Sequence, residues 1–220
     1  MKVILFGATG MVGQGVLLEC LRAKDVTEIV AVGRSAPAQQ DPRLRTLQVP
    51  DMALADLSSL QDFDACFYCL GASSSGKTEA AYTALMHDLP LSVARKLKDA
   101  NPALTFVFIT GSGADAGSST MWQRVLGQSE HDLQTLGLHR FFAFRPGVIQ
   151  PLDGIRSKQG NYQAAYTLMK PIFPLMRKLF PKYILTTTLI GEAMLNAARY
   201  GYVRPILEIQ DIAKLATVRG

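Results

Sequence analysis

A doubly wound, parallel α/β sheet follows from three observations on the chain. Apolar β-type runs alternate with helical patterns, the first run leads into a glycine turn that opens a helix, and no apolar run reaches the length of a membrane span. With 220 residues, 48% of them hydrophobic and 19% charged, the chain can bury one sizeable core. The length favours one domain: residues 1–150 as a Rossmann-type core and residues 151–220 as a small cap with terminal elements.

The elements follow in order. VILFG (3–7) is a continuous apolar run, GATGMVG (7–13) supplies the turn, and VLLECLRA carries helical periodicity to a break near Lys24. EIVAVG (28–33) reads as a second strand, TLQVP (46–50) as a short third, and ACFYCLG (65–71) as a fourth. A helical pattern fills 78–99, LTFVFIT (104–110) is a fifth strand, 119–136 is helical again, and HRFFAFRPG (139–147) closes the series. Strands joined through helices pair in parallel by right-handed crossovers. After Pro151 the texture changes, with four prolines between 171 and 205, the segment KPIFPLMRKLFPKY (170–183) and a helix over TTTLIGEAMLNAARYG (186–201). Such a tail suits a cap over the carboxyl ends of the strands, where sheets of this kind bind ligands. The amino-terminal apolar run is too short for a secretory signal, so the expected location is cytoplasmic.

Charge is unevenly placed. The net charge is +5, yet no acidic residue lies between Asp153 and Glu192, where Arg156, Lys158, Lys170, Arg177, Lys178 and Lys182 give +6 and leave −1 for the rest. That distribution argues against a general nucleic-acid surface and for a local basic patch. The patch suits a cap that encloses the site and faces an anionic small-molecule substrate; a homo-oligomer contact with the basic groups solvated is the alternative, and an anionic membrane surface ranks below both, while a regulatory protein partner belongs to a separate, non-catalytic reading of the chain. Cys66 and Cys69 have C-x-x-C spacing, but inside a strand, where positions three apart face opposite sides. They read as structural thiols, and neither the cysteines nor the three histidines offer a metal-ligand set.

Two glycine loops compete for phosphates. Gly7, Thr9, Gly10, Met11, Val12 and Gly13 sit between the first strand and first helix, where glycine lets backbone amides approach a pyrophosphate and the helix start adds partial positive charge. GASSSGKT (71–78) matches G-x-x-x-x-G-K-[ST], the nucleotide-binding P-loop pattern. A P-loop also needs a carboxylate at a nearby strand end to hold magnesium, and only Asp51 offers one. The first loop is therefore taken as the dinucleotide site, with P-loop binding as a remote alternative. Beyond the second strand stand Arg34 and Ser35, where a carboxylate would bond the ribose of NAD and an arginine meets the 2′-phosphate of NADP. NADP is the expected cofactor, ahead of NAD.

GATGMVG, VGRS, YCLG, ITGSG and FRPGVIQP, each after its strand and in this order, resemble the atypical short-chain dehydrogenase/reductase family over nearly the whole chain. Within it the pattern is similar to the TIP30-like NAD(P)-binding proteins, also described as nucleoside-diphosphate-sugar epimerase-like. The resemblance implies that the glycine loop and Arg34 bind cofactor, that Asp51 lies near the adenine, that Gly71 and Ala72 cover the ribose, and that Pro146 and Val148 border the nicotinamide. It implies Ser112 as the catalytic serine. The family's Y-x-x-x-K pair supplies a general acid tyrosine and a lysine that lowers its pKa, but aligning MWQRVLGQSE on that motif puts Trp122 and Leu126 in their places. Tyr162, Tyr166, Lys77 and Ser112 are substitutes by location, and hydride transfer to an activated acceptor such as a quinone needs little acid catalysis. Two functional classes follow: an NADP-dependent oxidoreductase or epimerase-like enzyme, or a non-catalytic NADP-binding regulator or redox sensor.

Overall fold

The computed structural model describes residues 1–155 and 184–219. Its main sheet holds β1 (Lys2–Phe6), β2 (Glu28–Gly33), β3 (Leu44–Gln48), β4 (Ala65–Tyr68), β5 (Thr105–Ile109), β6 (Arg140–Phe144) and β9 (Ile206–Leu207). Their spatial order is β3-β2-β1-β4-β5-β6-β9, and every pairing is parallel. A separate two-stranded parallel sheet joins β7 (Val148–Gln150) to β8 (Ile184–Thr186). The six long strands read from the sequence are all present; β3 begins two residues earlier than expected, and β7, β8 and β9 were too short to leave a periodic signal.

Helices cover both faces, which is why the central strands are apolar throughout. On one face α1 (Met11–Arg22), α5 (Thr187–Tyr200) and α6 (Ile209–Ala216) pack over Val3, Leu5, Ile29, Phe67, Val107 and Phe144. On the other, α2 (Glu79–Thr83), α3 (Leu89–Lys98) and α4 (Met121–Thr135) cover Ile4, Phe6, Val30, Tyr68, Phe106 and Phe108. The Tyr68 ring lies 5.4 Å from Phe6 and 5.7 Å from Phe108, edge-on to the latter. Cys66 belongs to this second core and Cys69 packs against the first, so the two thiols sit on opposite faces. Burial raises the Cys66 pKa well above its ordinary value and pushes Cys20 up to about 12, which keeps both as inert thiols.

Residues 156–183, which carry most of the expected cap and its basic residues, lie outside the described residues. The elements that follow them complete the core. Helix α5 lies against α1 through two glycines: a Cβ on Gly15 would stand 2.5 Å from the Thr187 Cβ, and one on Gly191 would stand 2.7 Å from the Glu19 side chain. Arg22 on α1 bonds Glu19 (2.6 Å) and reaches Asp153 (3.0 Å), tying the turn after β7 to the same helix.

The helix expected over 78–99 contains a π-helical turn, Ala84–Asp88, between α2 and α3. Pro90, in the first turn of α3, has no N–H to give the Met86 carbonyl four residues back, and its ring would crowd that carbonyl in a regular helix. Ser129 of α4 supplies the missing donor, its hydroxyl bonding Met86 O at 2.8 Å. The turn also aims His87 at α4, where Nε2 lies 2.8 Å from Asp132 and Nδ1 2.7 Å from Asp88. Burial, the largest single influence, lowers the imidazole pKa, but the bonds to Asp88 and Asp132 together outweigh it and the net shift is upward from 6.5. A raised folded-state pKa stabilises the fold below the unfolded value and loses that contribution as pH climbs through the folded one. Wild type is expected to exceed His87→Gln in urea stability by up to about 1 kcal/mol near pH 6, with the margin shrinking toward about pH 9. A margin that grows with pH would reverse the sign.

Candidate functional site

Because all seven strands of the main sheet run parallel, the residues that follow them gather along one edge. Gly7 to Gly13 follow β1, Arg34 and Ser35 follow β2, Asp51 follows β3, Gly71 and Ala72 follow β4, Ser112 follows β5, and Pro146 and Val148 follow β6. Strands β1 and β4 are neighbours, yet α1 and α2 leave them toward opposite faces. The chain therefore parts between them, opening the crevice in which sheets of this type hold ligands.

The glycine loop is shaped by close backbone approach. Gly7 has φ +80°, and a Cβ there would lie 2.8 Å from the Cys69 carbonyl and 2.9 Å from Leu70 N. The Gly10 N–H closes the turn onto Gly7 O at 2.9 Å. A Cβ on Gly13 would sit 2.0 Å from Gly7 O, so the first turn of α1 can rest on the strand end only without a side chain there. At Gly10 the sole near atom is Gly7 O at 3.3 Å, leaving the outer side open. Gly10 caps α1 without a side-chain bond and no acidic residue stands in the first turn, so the leading amides, which have no intrahelical acceptor, remain available to an anion. These features fit the pyrophosphate of a dinucleotide. Gly13→Ala is expected to destabilise the protein by about 2 kcal/mol or more, lowering Tm by roughly 5 °C, because the clash is with backbone; an unchanged melting curve would contradict this geometry.

Arg34 and Ser35 are exposed, and Arg34 makes no hydrogen bond or ion pair with the described residues. Asp51 is engaged locally: its Oδ1 accepts the Ala53 N–H at 2.9 Å and caps the short turn Met52–Leu54. Strands β2 and β1 stand between it and the loop after β4. In that loop Gly71 meets nothing within 4 Å of an added Cβ, the Lys77 N–H turns back to Ser74 O (3.1 Å), and Thr78 Oγ1 accepts the Ala81 N–H (3.3 Å) as cap of α2. The hydroxyl that a P-loop would offer to magnesium is thus a helix cap, and Asp51, the carboxylate the sequence offers for the metal, is two strands away.

Beyond β5, Ser112 is exposed, and α4 packs on the loop that carries it. A Cβ on Gly111 would lie 3.4 Å from Leu126 and 3.6 Å from Trp122, and one on Gly113 would lie 3.7 Å from Trp122. Trp122 therefore packs on the glycines either side of Ser112, and Leu126 on Gly111. The one Y-x-x-x-K string in the sequence, Tyr166 to Lys170, comes after β6 rather than on α4 and lies outside the described residues. Among the described residues no cluster of His, Cys, Asp or Glu is suited to a metal ion, and no helix is long and apolar enough to cross a membrane.

Sequence reasoning missed a buried charge network at this edge. Glu130 on α4 is 3% exposed and accepts from Thr110 Oγ1 (2.6 Å), from Arg145 Nε (3.0 Å) and from Arg145 Nη2. Arg145 Nη1 bonds Glu208 at the start of α6 (2.9 Å). The Glu130 carboxylate raises the Arg145 pKa against the opposing effect of burial. The available signal was an arginine directly after an apolar strand and a glutamate on the core-facing side of a helix, two residue types that are buried only when paired.

Fold and glycine loop together define a Rossmann-type α/β protein with the strand-turn-helix of the dinucleotide binders. Among solved structures, the UDP-glucuronic acid 4-epimerase of Bacillus cereus in complex with NAD superposes with a TM-score of 0.69 at 14% identity, covering 95% of this chain and 76% of that one. WbmF of Bordetella bronchiseptica in complex with NAD+ gives 0.67 at 17%, covering 98% and 76%, and the PhqB reductase domain of Penicillium fellutanum 0.68 at 15%, covering 96% and 67%. No family model matches the chain.

Curated relatives are more specific. The chain is 35% identical over 157 residues to the mitochondrial protein fmp52 of Emericella nidulans, covering 67% of this chain and 66% of the relative, just under two thirds of its length. It is 32% identical over 173 residues to that of Aspergillus fumigatus, covering 74% and 72%. The chain belongs to the fmp52 family. The names of these relatives overturn the cytoplasmic expectation and point to mitochondria. That expectation rested on an amino-terminal run too short for a secretory signal and on the lack of a membrane-length apolar segment, which bear on secretion and membrane crossing and not on which compartment a folded chain occupies.

Proposed function

We propose that this chain is an NADP(H)-binding oxidoreductase or epimerase-like protein of the atypical short-chain dehydrogenase/reductase type, in the TIP30-like branch. The observation that carries the reading is the Gly7–Gly13 turn, where backbone contacts exclude a side chain at Gly7 and at Gly13 and leave the α1 amides open. In this reading Gly7, Thr9, Gly10, Met11, Val12 and Gly13 hold the pyrophosphate and Arg34 with Ser35 meets the 2′-phosphate. Asp51 flanks the adenine, Gly71 and Ala72 the ribose, and Pro146 and Val148 the nicotinamide. The nicotinamide supplies a hydride when bound. Ser112 offers a hydroxyl to a substrate oxygen, while Trp122 and Leu126, in the places of the tyrosine and lysine, have no proton to give at neutral pH. The basic residues between Asp153 and Glu192 favour an anionic small substrate.

Trp122 and Leu126 also favour the second reading, a non-catalytic sensor that reports cofactor state to a protein partner. Purified protein is expected to bind NADPH at least about tenfold more tightly than NADH, with Arg34→Glu reversing the order by fluorescence titration. Equal affinities in the wild type would remove the NADP assignment. Trp122→Tyr with Leu126→Lys separates the two functional classes. Carbonyl reduction that appears only in the double variant marks a vacated catalytic pair, whereas wild-type turnover that Tyr166→Phe abolishes shows that the acid comes from the segment after β6.

A further inference from the structure

We propose that Glu130 is the positioning residue for the nicotinamide half of the cofactor site, holding the two loops that flank it at a fixed separation. The inference rests on the dinucleotide reading given above. It starts from a juxtaposition that the parallel sheet creates. Thr110, Arg145 and Glu208 are the first residues after β5, β6 and β9, three adjacent strands, so they stand side by side at the ligand-binding edge. Glu130 bonds the first two directly and the third through Arg145. Thr110 immediately precedes Gly111–Ser112–Gly113, and Arg145 immediately precedes Pro146–Gly147–Val148. One carboxylate thus spans the roots of both loops.

A buried ion pair adds little net stability over a well-packed apolar pair, because desolvation offsets most of the attraction. What it adds is geometry: the planar guanidinium fork meets the carboxylate in one arrangement, and the second oxygen-bound donor, the Thr110 hydroxyl, fixes its rotation. Backbone bonds extend the same registration, from Thr110 N–H to Phe144 O (2.8 Å) and from Arg145 N–H to Leu207 O (2.9 Å). The adenosine side is built from the ends of β1, β2 and β3, and none of its residues bonds Glu130. Loss of the Glu130 charge should therefore loosen one half of the dinucleotide and spare the other.

The chain has one tryptophan, Trp122, and it packs on the Gly111–Gly113 loop, which makes its emission a local reporter of that half. The experiment compares wild type, Glu130→Gln and Thr110→Val, each at a temperature where circular dichroism shows it folded. Affinities are read for NADPH and for 2′,5′-ADP, with NADH and AMP in parallel in case the dinucleotide is NAD. Expected for Glu130→Gln is about a tenfold loss of dinucleotide affinity, a change within about twofold for the adenosine fragment, and weaker energy transfer from Trp122 to bound reduced nicotinamide at saturation. Thr110→Val, which removes one donor and leaves the ion pair, should show the same split at about threefold and decides the matter if Glu130→Gln does not fold. Equal losses for dinucleotide and fragment, or no loss for either, overturn the positioning role while leaving the cofactor reading intact. Wild-type protein that binds none of the four ligands overturns both.

Discussion

The structure depends on how closely three backbone segments meet at the end of β1. Gly7 lies under the Cys69–Leu70 peptide of the β4 exit, and Gly13 in the first turn of α1 rests on the Gly7 carbonyl. Both contacts are closer than any side chain permits. They bring α1 down over the strand end, and with it the α5 helix that packs on α1 through Gly15 and Gly191. A whole layer of the protein is thereby placed by hydrogen atoms standing where side chains would be, and the same contact leaves the α1 amides bare at the crevice.

On the opposite face the organising element is α4. It satisfies the carbonyl freed by Pro90, meets His87 with the Asp132 carboxylate, lays Trp122 and Leu126 on the Ser112 loop, and presents Glu130 to the ends of β5 and β6. Polar groups inside a low-dielectric core are stable only when fully partnered, so each of these bonds also constrains where the helix can sit. The crevice thus has one half set by glycine contacts at the end of β1 and another set by a charge network at the ends of β5 and β6.

The chemistry that these halves support differs in how much of it the fold carries. Backbone amides at a helix start attract an anion whatever side chains surround them, so the phosphate-binding capacity goes with the strand-turn-helix. Proton transfer needs a particular side chain at a particular point, and the helix that packs on the Ser112 loop brings an indole and an isobutyl group against that loop. A family can keep the first property while changing the second, since fold and reaction are separable.

The sequence by itself determined the sheet, the crossover helices and the location of the glycine loop, because burial on both faces forces long apolar runs and a tight turn forces glycine. It also set the P-loop spelling at 71–78 beside a single candidate magnesium ligand, Asp51, and left the distance between them open. Tertiary structure decided the rest. Strands β7, β8 and β9 are two or three residues long and exist only where a neighbour pairs with them. The π turn needs Ser129, which lies more than forty residues from Met86, to satisfy the displaced carbonyl. Glu130 and Arg145 looked like ordinary charged residues until the parallel strands set their partners beside them, since pairing across elements is a property of distance in space that no local spacing records.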